Sequence, residues 1–499
     1  MPALICFFPG RLLYAQAVPY PGECMDFSLK RKSLDAPGGT LVCGLWEGRP
    51  LSGLERRVDQ ALSGVVSRMR KSGILSAEYG AMNDALYTDG ALPAEKVLFI
   101  GLGKELDRGK TRKLGKELGG HLAAKGIQEA SVSAFEHGDE CAEMLSLGML
   151  LGAYLPDEEK SERATSLERV SLLYSGAKPS AGLLRGTAIG NAVNYARFLN
   201  NAGSNIVTPF YLAQEARKLQ GIEVEILDRA ALEAEHFGSL LAVARGSSRE
   251  PYVAVMRYHG NPDADTVALL GKGVTFDTGG VNQKPSAGLE EMRMDMSGAG
   301  NVLAAMRAVA ELKPAVNVVG IFGAVENKDS ASGYHPGDVL RSRSGKIIEE
   351  MDTDAEGRNV LADLIDKALE YSPDEMVDMA TLTGACMVAL GKGDDAPAGL
   401  FTNESGKRLA MRLSAAARSS GERLWPLPSG EFYQRQLASE RADLRHLGDR
   451  FGGASSAAQF LFNFSGDVPH CHIDIAGTAI AKNATGWGVQ LLLEYLLAR

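Results

Sequence analysis

From about residue 222 onward the chain alternates short apolar runs with amphipathic ones, and this limits its fold more than any other feature. The apolar runs are Ile222–Leu227, Tyr252–Arg257, Thr266–Leu270, Val316–Ile321, Met376–Met379 and His472–Ile475. Gly298–Leu312, Gly357–Glu370, Ser455–Asn463 and Val489–Leu497 instead repeat apolar residues at helical spacing. Largely apolar strands need cover on both faces. The pattern therefore predicts an α/β fold, a mostly parallel sheet with helices packed on each side.

A chain of 499 residues is too long for one core, so a second domain is expected. Residues 25–175 supply a smaller α/β unit. Its strands are expected at Thr40–Leu45 and Lys96–Gly101, and its helices at Leu54–Met69 and Lys110–Lys125. A helical stretch, Leu183–Leu199, follows the Pro/Ser/Gly-bearing segment at Ser175–Gly182 and reads as the connection. The expected layout is a leader at 1–24, an N-terminal domain at 25–175, a linker helix at 176–202 and a catalytic domain at 203–499. Gly101-Leu102-Gly103 superficially suggests a dinucleotide turn, but Leu106 stands where the third glycine belongs, so a plain strand–turn–helix is expected.

Composition narrows the function. A formal charge of −9 argues against a surface built for nucleic acid or anionic lipid. Six cysteines without a C-x-x-C pair suit a reduced, cytoplasmic chain. No apolar run is long enough to span a bilayer. The apolar patch near the N-terminus has no basic stretch before it, unlike a signal peptide; residues 1–24 read as an unusual leader or an over-extended start.

Two segments carry the chemistry. One follows the run Thr266–Leu270: a glycine-flanked stretch with Lys272 and Asp277, then Lys284 and Asp295. The other is Asp352-Thr353-Asp354-Ala355-Glu356-Gly357-Arg358, just before a helix. In an extended segment Asp352, Asp354 and Glu356 would share a face and repel unless a cation sat among them. Carboxylates from both segments, with a lysine amine, suit a pair of divalent metals bridged by shared oxygens.

These segments, GKGVTFDTGG, KPSAG, MRMDMSGAG and DTDAEGR, resemble the signatures of the leucyl aminopeptidases, a family of two-metal peptidases. NNAGSNIVTP, AVEN, PGDV, ATLTGA and HIDIAGTA extend the likeness from about Ala196 to the C-terminus. The resemblance implies that Lys272, Asp277, Asp295, Asp354 and Glu356 hold two divalent ions, Zn²⁺ or Mn²⁺, with Mg²⁺ or Co²⁺ as alternatives. Asp277 and Glu356 would bridge them, and Asp354 would also lend its carbonyl. Lys284 would polarise the scissile carbonyl, and Arg358 would hold a bicarbonate ion as general base. Met292, Thr381, Leu382 and Gly384 would line the substrate site. The implied activity is removal of the N-terminal residue, apolar ones such as Leu preferred, from peptides with a free N-terminus, by a homohexamer. A cysteinylglycine-type dipeptidase and a DNA-binding regulator are the alternatives, the latter opposed by the acidic charge.

Two departures stand out. Asp352 occupies a position where the family usually has Asn, and Pro469-His470-Cys471-His472 lacks the usual Trp. Metal preference and side-chain selectivity are the properties they touch. The H-x-H of His470 and His472 has no obvious companions for a metal site, so a structural or pocket role is expected.

Overall fold

The computed structural model describes residues 25–34, 39–133, 135–136, 138–157, 159–161 and 167–499. The expected leader, with Cys6 and Cys24, lies outside the described residues. Cys43, Cys141, Cys386 and Cys471 are buried free thiols. No helix among the described residues is long and apolar enough to cross a membrane.

The first sheet contains β1 (Asp26–Arg31), β2 (Thr40–Trp46), β3 (Leu86–Tyr87), β4 (Lys96–Gly103), β5 (Glu129–Ser133) and β6 (Arg169–Tyr174). Their spatial order is β1-β6-β5-β2-β4-β3, and every pairing is parallel except that of β3. The helix expected at Leu54–Met69 is two helices, Gly53–Ala61 and Val65–Lys71. Ser63 and Gly64 between them adopt positive φ, which a right-handed helix cannot continue through. Helix Arg108–Ala124 matches the expected Lys110–Lys125 closely.

Helix Ser180–Asn201 leads into the larger domain. There Arg185 meets Glu143 of the N-terminal domain at 2.9 Å and Glu494 of the C-terminal helix Val489–Leu497 at 2.7 Å. Arg108 binds the same two carboxylates from the other side, at 2.8 and 2.7 Å. Two guanidinium groups shared by two carboxylates thus tie the three parts together.

The second sheet holds β7 (Glu223–Leu227), β8 (Tyr252–Tyr258), β9 (Thr266–Asp277) and β10 (Asn317–Asn327). After the short strands β11 (Val339–Arg341) and β12 (Ile347–Glu349) come β13 (Glu375–Ala380), β14 (Ala398–Thr402) and β15 (Leu424–Pro426). The last two are β16 (Leu444–Arg445), which joins β11 and β12 in a small sheet, and β17 (His470–Asp474). The main order is β15-β14-β17-β13-β9-β10-β8-β7, with a parallel centre, β17-β13-β9-β10, and antiparallel β14, β8 and β7 beside it. Val267 and Leu269 pack beneath helix Ser297–Leu312, and Ala268 and Leu270 beneath helix Gly357–Leu369. Cover on both faces is why the central strands read as unbroken apolar runs.

One expectation is corrected. β9 does not end at Leu270; it runs on through Gly271, Lys272 and Gly273, paired with β10 to Asp277. These glycines mark close approach rather than a turn: a Cβ on Gly271 would lie 2.5 Å from the Gly298 carbonyl oxygen.

Candidate active site

Four parallel strands end at one edge, and their last residues build the site, as expected at the carboxyl ends of an open α/β sheet. Asp277 closes β9, and Asn327 closes β10 directly opposite it. Thr381 follows β13, and Asp474 closes β17. The helix Gly357–Leu369 enters the same edge, with Asp354 and Glu356 just before it and Arg358 in its first turn. Asp295 arrives at the end of the 3₁₀ turn Leu289–Met294, which carries Met292.

The Asn327 amide fastens two of these pieces together. Its Nδ2 donates to Asp277 Oδ1 at 2.7 Å and to the Thr353 carbonyl at 2.8 Å. Gly279 N adds a bond to the same Asp277 oxygen at 2.8 Å. The other oxygen of Asp277 faces Lys284 Nζ at 2.8 Å, and Lys284 also contacts Asp354. Lys272, almost wholly buried, reaches up from mid-strand. Its Nζ lies 2.8 Å from both Asp295 oxygens and from Glu356 Oε1, and 3.0 Å from the Thr381 carbonyl. Gly357 makes room for it, since a Cβ there would sit 2.6 Å from Lys272 Cε.

Asp277, Asp354 and Glu356 bring one carboxylate oxygen each within 4.8 Å of one another. Burial pushes the Asp277 carboxyl well above its usual range, and the charges of Glu356 and Asp295 push the same way. Burial also raises Asp354, and it raises Asp295 to about 6 despite the opposing charge of Lys272. Burial acts to neutralise Lys272 and Lys284, but the surrounding carboxylates outweigh it and hold both above the ordinary lysine value. Glu356 falls below its ordinary value because Lys272 and Lys284 outweigh its burial.

The arrangement fits divalent cations. Asp295 Oδ2, Asp354 Oδ1 and Glu356 Oε1 are buried without a hydrogen-bond donor; lysine charge is near each, but not in bonding geometry. Buried carboxylate oxygens left without donors are costly unless a cation takes them. Oxygen donors with one amine suit a hard or borderline metal, and a bound cation would favour the neutral amine that coordination needs. Arg358 suits an oxyanion: its Nη1 donates to the His446 carbonyl at 2.8 Å, while its buried Nε has no partner. Burial lowers the Arg358 pKa to about 10.

Thr381 joins the cluster directly, its hydroxyl donating to Asp295 Oδ1 at 2.7 Å. Leu382 and Gly384 lie on the same turn, which opens the helix Gly384–Leu390. Asp352 departs from the expected geometry. It is extended, but Thr353–Ala355 form a 3₁₀ turn, so strand alternation does not apply. The Asp352 carboxylate accepts the Asp354 N–H at 3.0 Å and stands outside the converging set.

His470 and His472 are internal, sharing one buried carboxylate: Asp378 binds His470 Nε2 at 2.7 Å and His472 Nδ1 at 2.6 Å. Burial opposes charge on His472, but Asp378 prevails and raises its pKa. Sequence reasoning assigned no role to Asn327 or Asp474. Asp474 accepts from the Thr383 hydroxyl at 2.7 Å, Ala476 N at 3.1 Å and Leu382 N at 3.3 Å, so it holds the turn bearing Thr381–Gly384. The available signal was a polar residue closing an apolar run, in AVEN and in HIDIAG.

Known proteins share this architecture. Residues 194–493 match the cytosol aminopeptidase family, catalytic domain, and residues 42–163 the N-terminal domain of that family. A probable cytosol aminopeptidase of Syntrophotalea carbinolica is 39% identical over 484 residues, 91% of this chain and 96% of its own length. One of Roseiflexus castenholzii is 40% identical over 488 residues, covering 91% and 95%. A mutant of tomato leucine aminopeptidase superposes with a TM-score of 0.83 at 32% identity, over 95% of this chain and 97% of that one. The bottromycin maturation enzyme BotP in complex with Mn gives 0.80 at 30% identity, over 93% and 99%. Matched along nearly its whole length, and carrying a metal-ready carboxylate cluster at the shared sheet edge, the chain belongs to the cytosol aminopeptidase family of metallo-aminopeptidases.

Proposed function

We propose that this aminopeptidase works with two divalent cations held by Lys272, Asp277, Asp295, Asp354 and Glu356. The observation that carries the reading is the convergence of buried carboxylate oxygens without donors. When bound, such cations acidify a water to near-neutral pKa and take the free α-amine of the substrate, which confines cleavage to the first residue. Lys284 is held as an ammonium by Asp277 and Asp354, and it donates to the scissile carbonyl oxygen as negative charge develops there. The Arg358 guanidinium, whose buried Nε has no partner, holds bicarbonate, a base for the proton that the water must lose. Thr381, Leu382, Gly384 and Met292 flank the first residue of the peptide.

Apolar first residues, leucine among them, are the proposed preference, in line with the tomato leucine aminopeptidase. Manganese or zinc are the proposed ions, the first supported by the Mn complex of BotP. A cytoplasmic homohexamer, expected from the resemblance, belongs to the same proposal. Exhaustive chelation should abolish hydrolysis of leucine amide, and Mn²⁺, Zn²⁺ or Co²⁺ should restore it. Full activity in metal-free protein would overturn the reading.

A further inference from the structure

The small sheet brings two buried ionisable residues together. β12 and β16 run parallel, Glu349 opposite Arg445, so the residues that follow, Glu350 and His446, leave the sheet side by side. Both are 0% exposed. Glu350 stands two residues before the segment 352–358, which carries Asp354, Glu356 and Arg358.

The bonds of this pair reach both ends of that segment. His446 Nδ1 accepts the Met351 N–H at 3.2 Å, so the ring carries its proton on Nε2. That nitrogen faces Glu350 Oε1 at 3.1 Å and the Asp352 carbonyl at 3.2 Å. The same Glu350 oxygen accepts the Asp352 N–H at 3.1 Å, and the other accepts from Asn359 Nδ2 at 2.8 Å. The peptide groups on both sides of Asp352 are thereby held, and so is the first turn of helix Gly357–Leu369. His446 also acts through its backbone: its carbonyl accepts Arg358 Nη1 at 2.8 Å. A carboxylate buried among uncharged donors is costly to a fold, which apolar packing would serve as well. What the pair adds is a fixed frame around Arg358.

We propose that Glu350 and His446 are positioning residues for the peptidase reaction, acting through Arg358. The proposal rests on the reading of Arg358 as holder of the base. Glu350 fixes the His446 ring, the ring fixes its own backbone, and the carbonyl there aims the guanidinium, leaving the buried Nε for the oxyanion.

Steady-state kinetics on leucine amide with metal-saturated, full-length enzyme test this. Glu350→Ala should lower kcat about ten- to hundredfold with KM unchanged, because a misaimed base slows chemistry and not binding. Glu350→Gln should stay within about threefold of the parent. Its oxygen keeps the Asp352 and His446 donors, and its NH₂ group meets Asn359 Oδ1, now buried without a partner, once that amide turns over. In an Arg358→Ala background Glu350→Ala should cost little more, since its route to the chemistry is already cut. Crystals of metal-free Glu350→Ala should show the guanidinium moved off the His446 carbonyl. His446→Asn, which keeps an acceptor for Met351 N but not the reach to Glu350, should repeat the kinetic pattern and decides the matter where Glu350→Ala fails to fold. Parent kcat in Glu350→Ala, equal losses in Glu350→Gln, additive losses in the double variant or an unmoved guanidinium would each overturn the proposal while leaving Arg358 its role. Parent kcat in Arg358→Ala would instead sink the base reading, and this proposal with it.

Discussion

Replacing Lys272 by methionine separates the two lysines of the site. Lys272 Nζ contacts Asp295 and Glu356 at 2.8 Å, and both carboxylates are buried. At an effective dielectric near 20, each contact supplies roughly 6 kcal/mol of attraction before desolvation. Desolvation of the three groups offsets most of it, and breaking such buried pairs costs about 3–5 kcal/mol net. The site has one escape. Asp295 sits at about 6 even with Lys272 lowering it, so without that lysine taking up a proton at pH 7 costs less than about 1.4 kcal/mol. The metal-free variant should therefore lose stability near the lower end, about 3 kcal/mol. It should also hold less metal, having lost the proposed amine ligand. Lys284→Met makes the contrast: its amine meets Asp277 and Asp354 at the mouth of the site, with a side chain 20% exposed. That variant should keep its metal and lose roughly 10²–10³-fold in kcat. Guanidinium unfolding of chelated protein, metal analysis by mass spectrometry and steady-state kinetics give the three readouts. Equal metal content in the two variants, or unchanged metal-free stability in Lys272→Met, would refute the assignment.

Glu422 accepts N–H bonds from Gly488 and Leu491 at the start of the C-terminal helix, and burial pushes its carboxyl up to about 7. The folded protein thus keeps a proton that the unfolded chain releases; stability from this group is full below about pH 4.5 and is lost as pH climbs through 7, by about 3 kcal/mol in all. Glu422→Gln should remove that pH-dependent loss, at the cost of one of the two N–H bonds, since its amide has a single accepting oxygen; parallel pH–stability curves would refute it. Asp474→Ala should free the turn at Thr381–Gly384 and lower kcat/KM roughly a hundredfold, chiefly through KM, with metal content unchanged. Partial recovery in Asp474→Asn is expected, because its oxygen can still accept from Leu382; loss of metal in the alanine variant would refute a positioning role. Asp352→Asn should remain active but change which metal activates best, since one charge beside the Asp354 N–H disappears; an unchanged metal profile would show the residue to be neutral.

Local pattern was enough for the layers of this protein. Apolar runs bounded by helical periodicity located β8, β10 and β13 and the helix Val489–Leu497, because burial on both faces demands that composition wherever the strand sits. The candidate site residues were legible for a related reason: ionisable groups crowded beside glycines are costly to bury without a compensating partner. Three features needed the tertiary structure. Gly271 and Gly273 look like a turn in sequence, but pairing with β10 makes them strand, and the close approach of helix Ser297–Leu312 requires that they be glycine. The roles of Asn327 and Asp474 depend on which strand lies beside which: Asn327 meets Asp277 because β10 neighbours β9, and Asp474 reaches Leu382 because β17 neighbours β13. His470 and His472 share Asp378 for the same reason, their strand lying in register against β13. Sequence carries each residue's chemistry, whereas pairing across a sheet joins residues dozens to hundreds of positions apart, and no local spacing encodes that neighbourhood.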